Sequence, residues 1–269
     1  NTEDVRVKLK AKGHTFKAYS DTEVLLIAYI EWGQDCLKHI NGIFAFGIWD
    51  EKNKSLFLAR DPLGVKHLFY SVKGDNLLFA SEIKALLKHP IIEHIVDKEG
   101  LLDIFGLGPA RSLGSGVFKD IKEIPPAYCM FYKNGRFNLR EYWTLSAKHH
   151  TEDIDTTADH VRSLLDDAIK KQLVSDVPVC TFLSGGLDSS AISAITANAF
   201  KCDGKEVLNT FSIDYKDNDK YFKSNEYQPN SDAVWAEKMA SFIGSNHHNI
   251  ILNNEDLVSA LKDSVLAMD

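Results

Sequence analysis

The sequence predicts two folds in series, an α+β half built on antiparallel sheets and then an α/β half with a parallel sheet. Three observations carry this. Between residues 42 and 80, short apolar or aromatic segments alternate with turn residues, the pattern of antiparallel hairpins. From about residue 156, strand and helix signals alternate instead, the pattern of a parallel sheet with helices on its faces. The run Ser184-Gly185-Gly186-Leu187-Asp188-Ser189-Ser190 stands between an apolar segment and a helical one, as a strand–turn–helix junction.

In the first half, Asp21 to Gly33 reads as a helix. Gly42 to Trp49, Ser55 to Arg60, His67 to Val72 and Asn76 to Ala80 read as strands. Turn residues part them at Asp50-Glu51-Lys52-Asn53, Asp61-Pro62-Leu63-Gly64 and Lys73-Gly74-Asp75-Asn76. Ser81 to Lys88 reads as a helix with Ser81 as its cap. Tyr128 to Tyr132 and Arg136 to Leu139 form a hairpin signal, because Asn134-Gly135 favours a tight turn. The polar stretch from about Ser146 to Asp155 is the linker candidate, which sets residues 1–145 and 156–269 as the two expected domains.

In the second half a helix runs from about Thr156 to Leu173, with Val161, Leu164, Leu165, Ala168 and Ile169 as its apolar positions. Val177 to Leu183 reads as a buried strand and Ala191 to Phe200 as a helix. Val207 to Tyr215 is the next strand, Asp217 to Asn230 is polar and irregular, and Asp232 to Ile243 is helical. Asn249 to Leu252 and Glu255 to Met268 read as a strand and a helix. Ligands of such sheets bind at the carboxyl ends of strands, where Leu183–Ser184 and the end of the 207–215 strand would lie.

The junction at 184–190 has the makings of an anion site. Two glycines let backbone N–H groups approach a phosphate closely, and a helix N-terminus adds about half a positive charge. Ser184, Ser189 and Ser190 supply hydroxyl donors. A Walker A loop requires Lys-Ser/Thr after its last glycine, and this sequence has Leu187-Asp188. An Asp beside phosphates repels them unless a cation intervenes, so Asp188 implies a bridging Mg²⁺. The alternative is a plain turn with Asp188 as a helix cap. The run resembles the SGGxDS pyrophosphate loop of the PP-loop ATP pyrophosphatase superfamily, whose members split ATP between its α- and β-phosphates.

Composition narrows the partners. A formal net charge of −7 with no Lys/Arg block argues against wrapping nucleic acid. The longest apolar run, Val24 to Ile30, is far below a membrane span, so no membrane partner is expected. Cys36, Cys129, Cys180 and Cys202 show no C-x-x-C spacing and read as thiols of a reducing compartment, with the cytoplasm as the expected address. The adjacent pairs His149-His150 and His247-His248 cannot share one face of a helix or strand, which argues against a metal site there.

Longer motifs narrow the superfamily. Asn41-Gly42-Ile43-Phe44-Ala45-Phe46-Gly47-Ile48-Trp49-Asp50, Ala59-Arg60-Asp61-Pro62-Leu63-Gly64-Val65-Lys66 and Ala80-Ser81-Glu82-Ile83-Lys84-Ala85-Leu86 resemble the glutaminase domain of the glutamine-hydrolysing asparagine synthetases. Ser175-Asp176-Val177-Pro178 and the loop after it resemble the synthetase domain of the same family. The resemblance covers nearly the whole chain. It implies an N-terminal-nucleophile hydrolase-like fold for residues 1–145 and a PP-loop fold for 156–269. It also implies Mg-ATP, aspartate and glutamine as ligands, and a homodimer of the full-length protein.

Residue by residue, Ser184, Gly185, Gly186, Asp188 and Ser189 match the family's pyrophosphate loop, with Asp188 the metal ligand. Leu183 and Ile213 match apolar residues that contact adenosine, and both also suit a core. Asp21, in Ser20-Asp21-Thr22-Glu23, matches the acidic residue that grips the α-amino group of glutamine, and helix capping by Ser20 or Asp21 is compatible with that. Arg60-Asp61 reads as a structural ion pair or an interface element.

The chain also departs from the family. The family's nucleophile is a Cys at the mature N-terminus, and this chain begins Asn1-Thr2-Glu3. The family's second synthetase motif and catalytic lysine are not in it. The expectation is therefore an internal piece without catalytic residues, N-terminally and C-terminally truncated and inactive by itself. His67 stands where the family usually has Pro. A glutamine-dependent asparagine synthetase, an amide- or lactam-forming relative without glutaminase activity, and a non-catalytic nucleotide-binding module all stay open at this point.

Overall fold

Residues 1–108, 110–226 and 231–268 are described in a computed structural model. The chain divides into two units, Asn1–Lys148 and His149–Met268.

The first unit opens with α1 (Thr2–Ala11) and α2 (Asp21–Trp32), followed by a 3₁₀ turn over Gly33–Lys38. Strands β1 (Ala45–Asp50), β2 (Ser55–Arg60), β3 (Phe69–Lys73) and β4 (Asn76–Ala80) come next, then α3 (Ile83–Leu87) and α4 (Lys98–Leu107). β5 (Ile121–Glu123), β6 (Tyr128–Lys133) and β7 (Arg136–Glu141) complete it. Two antiparallel sheets result, β1-β2-β6-β7 and β4-β3-β5. β2 is buried along its whole length because both of its faces are covered. Phe57 and Ala59 pack with Val5, Leu9, Val24 and Ala28 of the first two helices. Leu56 and Leu58 pack on the other side with Leu68, Tyr70, Ile124 and Met130. Beyond the second sheet, Phe69 and Ile121 meet Ile83 and Leu86 of α3. The layers are therefore helices, sheet, sheet and helix.

The second unit comprises α5 (Ile154–Lys171), β8 (Cys180–Phe182), α6 (Leu187–Cys202), β9 (Asn209–Tyr215) and α7 (Asn218–Tyr221), then α8 (Asp232–Ile243), β10 (Asn246–Leu252) and α9 (Asn254–Met268). Its sheet, β10-β9-β8, is parallel throughout. Small residues let helices approach one face: Leu183 packs on Ala236, Met239 and Ala240 of α8, and Thr181 bonds Ser193 of α6 at 2.8 Å.

Several boundaries differ from expectation. β8 starts at Cys180 rather than Val177, since Pro178 has no N–H and Val177 N–H bonds the Ser175 hydroxyl in a turn instead. α6 begins at Leu187, four residues ahead of the expected start, because Gly186 in extended conformation is its N-cap. Within the stretch expected to be irregular, Asn218–Tyr221 forms the short α7, while residues 227–230 lie outside those described. α1, α4 and β5 were not foreseen. Among the described residues, no helix is long and apolar enough to cross a membrane.

Candidate functional site

β8 ends at Phe182, and the chain turns through Leu183–Gly186 into α6. Gly185 makes this turn with φ +83°, a left-handed conformation that side chains other than glycine rarely adopt. Space imposes the same requirement. A Cβ on Gly185 would lie 2.7 Å from the Ala236 amide nitrogen, 2.7 Å from Trp235 Cβ and 2.8 Å from the Asp232 carbonyl oxygen. The first turn of α8 thus presses directly on the loop. Ser184 Oγ and Ser189 Oγ lie 3.0 Å apart across the turn, Ser184 N–H donates to Ser189 Oγ at 3.2 Å, and Gly186 N–H reaches Ser184 Oγ at 3.4 Å. Ser189 Oγ can donate to Gly186 O at 3.2 Å. These hydroxyls satisfy one another and can turn outward to an anion.

Beside the loop lies a cleft of about 280 Å³ lined by Phe182, Leu183, Ser184, Phe211, Ser212, Ile213, Asp232, Ala233 and Ala236. Three sequence-predicted residues, Leu183, Ser184 and Ile213, meet in it, although they come from two strands. Leu183 is fully buried against α8, while Ile213 is exposed. The last bond between β8 and β9 runs from Leu183 N–H to Phe211 O at 2.8 Å. One residue pair further along, parallel geometry turns the backbone N–H and C=O of Ile213 toward the β8 side, past the end of β8. Among the described residues no backbone bond closes that edge. A donor and an acceptor therefore stand side by side at the cleft, next to apolar walls, which suits the edge of a flat heterocycle.

Asp188 occupies the second position of α6 and is exposed, so it is not the cap. Among the described residues no three His, Cys, Asp or Glu groups gather to hold a metal by themselves. A single carboxylate beside a turn whose hydroxyls can face an anion fits Mg²⁺, which usually takes one or two carboxylates and completes its shell with phosphate oxygens and water.

Asp21 lies in the other unit. Ser20 is the N-cap of α2, accepting from Thr22 N–H at 3.1 Å, and Asp21 Oδ1 accepts from the same N–H at 2.7 Å. Its carboxylate is exposed at the head of the helix. The turn before it is gripped from both polarities. Arg6, buried in α1, donates to Ala18 O at 3.0 Å and Tyr19 O at 2.8 Å, and its guanidinium lies over the rings of Phe16 and Tyr19. Glu23 accepts from Lys17 N–H at 2.9 Å and Ala18 N–H at 2.8 Å, and these two bonds hold its carboxyl below the ordinary value.

Arg60 and Asp61 do not pair with each other. Arg60 pairs with Glu123 at 3.0 Å and donates to the carbonyls of Lys66, Ile124 and Gly64. Asp61 accepts from the N–H groups of Leu63, Val65 and Lys66. Together they fix the 61–66 turn. His67 joins them, its Nδ1 lying 3.1 Å from Glu123 Oε1 and its ring stacked on Phe69. Cys36 and Cys129 are buried, and burial pushes the Cys36 thiol up to about 12, the opposite of an activated nucleophile. Sequence reasoning missed Ser212 as a cleft residue. The hydroxyls at alternate positions of the strand, Thr210 and Ser212, were the available signal.

The family model described as "Glutamine amidotransferase domain" matches residues 1–143, and that described as "Asparagine synthase" matches residues 160–269. The chain is 55% identical over its whole length to asparagine synthetase [glutamine-hydrolyzing] 3 of Bacillus subtilis, of which it covers 44%. It is 32% identical to asparagine synthetase [glutamine-hydrolyzing] 1 of the same organism, covering 40% of that protein. Amidase chry2 of Gibberella zeae is 29% identical over 93% of the chain, which covers 37% of it. The chain thus spans less than half the length of each of these curated relatives.

Proposed function

Because the chain belongs to the glutamine amidotransferase domain family over residues 1–143 and matches the asparagine synthase model over 160–269, we propose that its protein is a glutamine-hydrolysing asparagine synthetase. The observation that carries this is the cleft at the carboxyl end of the parallel sheet, where Leu183, Ser184 and Ile213 converge beside the Gly185 turn.

In this reading residues 1–145 are a glutaminase domain of N-terminal-nucleophile type, supported by the family match and the helix–sheet–sheet–helix layering. Residues 156–269 are a PP-loop synthetase domain, supported by the parallel sheet and its loop. Asp21 holds the α-amino group of glutamine. Leu183 and the backbone edge of Ile213 hold adenosine. Ser184, Gly185, Gly186 and Ser189 cradle the pyrophosphate. Asp188 would hold Mg²⁺, which when bound neutralises charge on the β- and γ-phosphates. The side-chain carboxylate of aspartate attacks the α-phosphorus, and the P–O bond to pyrophosphate breaks. Ammonia released from glutamine then attacks the acyl carbon and AMP leaves, giving asparagine. The adenylate is needed because a free carboxylate is a poor electrophile. The reaction belongs in the cytoplasm, and the full-length protein is read as a homodimer, which light scattering would check.

The decisive measurement is aspartate-dependent pyrophosphate release by the full-length protein. Asp188→Ala is expected to abolish it, and release at the wild-type rate would show that Asp188 holds no metal. Release driven by another carboxylic acid, with none from aspartate, would move the protein to a different amide-forming reaction.

A further inference from the structure

A chain of side-chain hydrogen bonds ends in the cleft. Ser245 Oγ lies 2.9 Å from Thr210 Oγ1, which lies 2.9 Å from His247 Nδ1. His247 Nε2 lies 3.1 Å from Ser212 Oγ, and Ser212 donates to Asn249 Oδ1 at 3.2 Å. Parallel pairing produces this alignment. Thr210 is registered with His247 and Ser212 with Asn249, so alternate residues of two strands put four polar side chains on one face. Thr210 is fully buried, and Ser212 is buried except where it lines the cleft.

Counting hydrogens decides what Ser212 offers. A hydroxyl has one hydrogen and two lone pairs, and a neutral imidazole carries one ring hydrogen. With that hydrogen on Nε2, His247 donates to Ser212 and Ser212 donates to Asn249. With it on Nδ1, the bare Nε2 accepts the Ser212 hydrogen. A protonated His247 restores the first arrangement. In each case the single Ser212 hydrogen is directed into the protein, and only a lone pair faces the cleft.

We propose that Ser212 is a specificity residue of this cleft: an acceptor that selects a ligand carrying an N–H or O–H donor at that point. This rests on the nucleotide reading above and adds to it. On an adenine nucleotide the donor is either the 6-amino group of the base or a ribose hydroxyl.

The test is calorimetric titration of the full-length protein and its Ser212→Ala variant with ATP, inosine triphosphate, 2′-deoxy-ATP and 3′-deoxy-ATP. Loss of one net hydrogen bond should weaken ATP binding about tenfold in the variant. One analogue should bind wild type and variant equally, and it identifies the donor: the inosine nucleotide for the 6-amino group, a deoxynucleotide for a hydroxyl. The proposal is overturned if the variant binds all four like wild type. It is equally overturned if all four weaken by the same factor, which would mark a packing defect. If the wild-type protein does not bind ATP at all, the nucleotide reading itself falls, and the assignment of Ser212 falls with it.

Discussion

The two units bury their polar groups in opposite ways. In Asn1–Lys148 the buried polar residues include five charged ones, Arg6, Arg60, Asp61, Asp103 and Glu123. In His149–Met268 those described are hydroxyls throughout: Thr181, Ser193, Thr196, Thr210 and Ser212. Three of the charged groups, Arg6, Arg60 and Asp61, grip backbone. Arg6 holds the turn before Asp21, and Arg60 with Asp61 holds the 61–66 turn. Such grips fix one loop geometry, since an unpaired buried charge is very costly. Hydroxyls can donate or accept, so a site made of them can change partners when a ligand arrives without stranding a charge. The first unit is built to hold a shape and the second to exchange hydrogen bonds.

This contrast can be broken most forcefully at Arg60. Arg60→Ala leaves the Glu123 carboxylate without its nearest guanidinium and frees three carbonyls, with an expected loss of about 3–5 kcal/mol of stability. Urea unfolding measures it, and a loss below about 1 kcal/mol would show that the buried pair fixes nothing. A smaller effect is expected in the second unit. Thr181→Val or Ser193→Ala alone leaves a buried hydroxyl unpaired and should cost about 1–3 kcal/mol, whereas the two together should come close to wild type. A double variant as unstable as the sum of the singles would mean that these hydroxyls are not interchangeable parts. The smallest effect is at Glu23, whose ordinary value is 4.5 and whose folded value is lower. A depressed carboxyl stabilises the fold above its unfolded value, and that stabilisation is lost as pH falls through the folded value. Glu23→Gln should therefore lower stability slightly at neutral pH, flatten the acid side of a stability-versus-pH curve below about pH 4.5, and converge with wild type at the acid end. An unaltered acid limb would remove Glu23 from the grip on residues 17 and 18.

What could be read from the sequence follows the same division. β2, α8 and the 128–141 hairpin stand close to their expected places because their periodicity or turn chemistry is strong. The junction at residues 184–190 was legible as a strand–turn–helix element because two glycines follow an apolar segment there and precede a helical one. α1 was hidden because one of its three buried positions is Arg6, a charge where a helical pattern calls for an apolar residue. α4 was hidden by its two glycines, and its cap, Asp97 accepting from Gly100 N–H at 3.0 Å, is local evidence that periodicity does not register. The β8 boundary depended on pairing with β9, and the Ser212 cluster on the register of β9 with β10. Neither is written in any short window of residues.

The contact between Gly185 and α8 bears on transplantation. The turn takes its form from a segment beginning nearly fifty residues downstream, at Asp232. Grafting the seven-residue run Ser184–Ser190 onto a foreign strand and helix would carry over its letters but not the wall that shapes it. The smallest portable form of this site is β8, the turn and α6 together with the opening turn of α8, a discontinuous cassette that a motif search sees only in part.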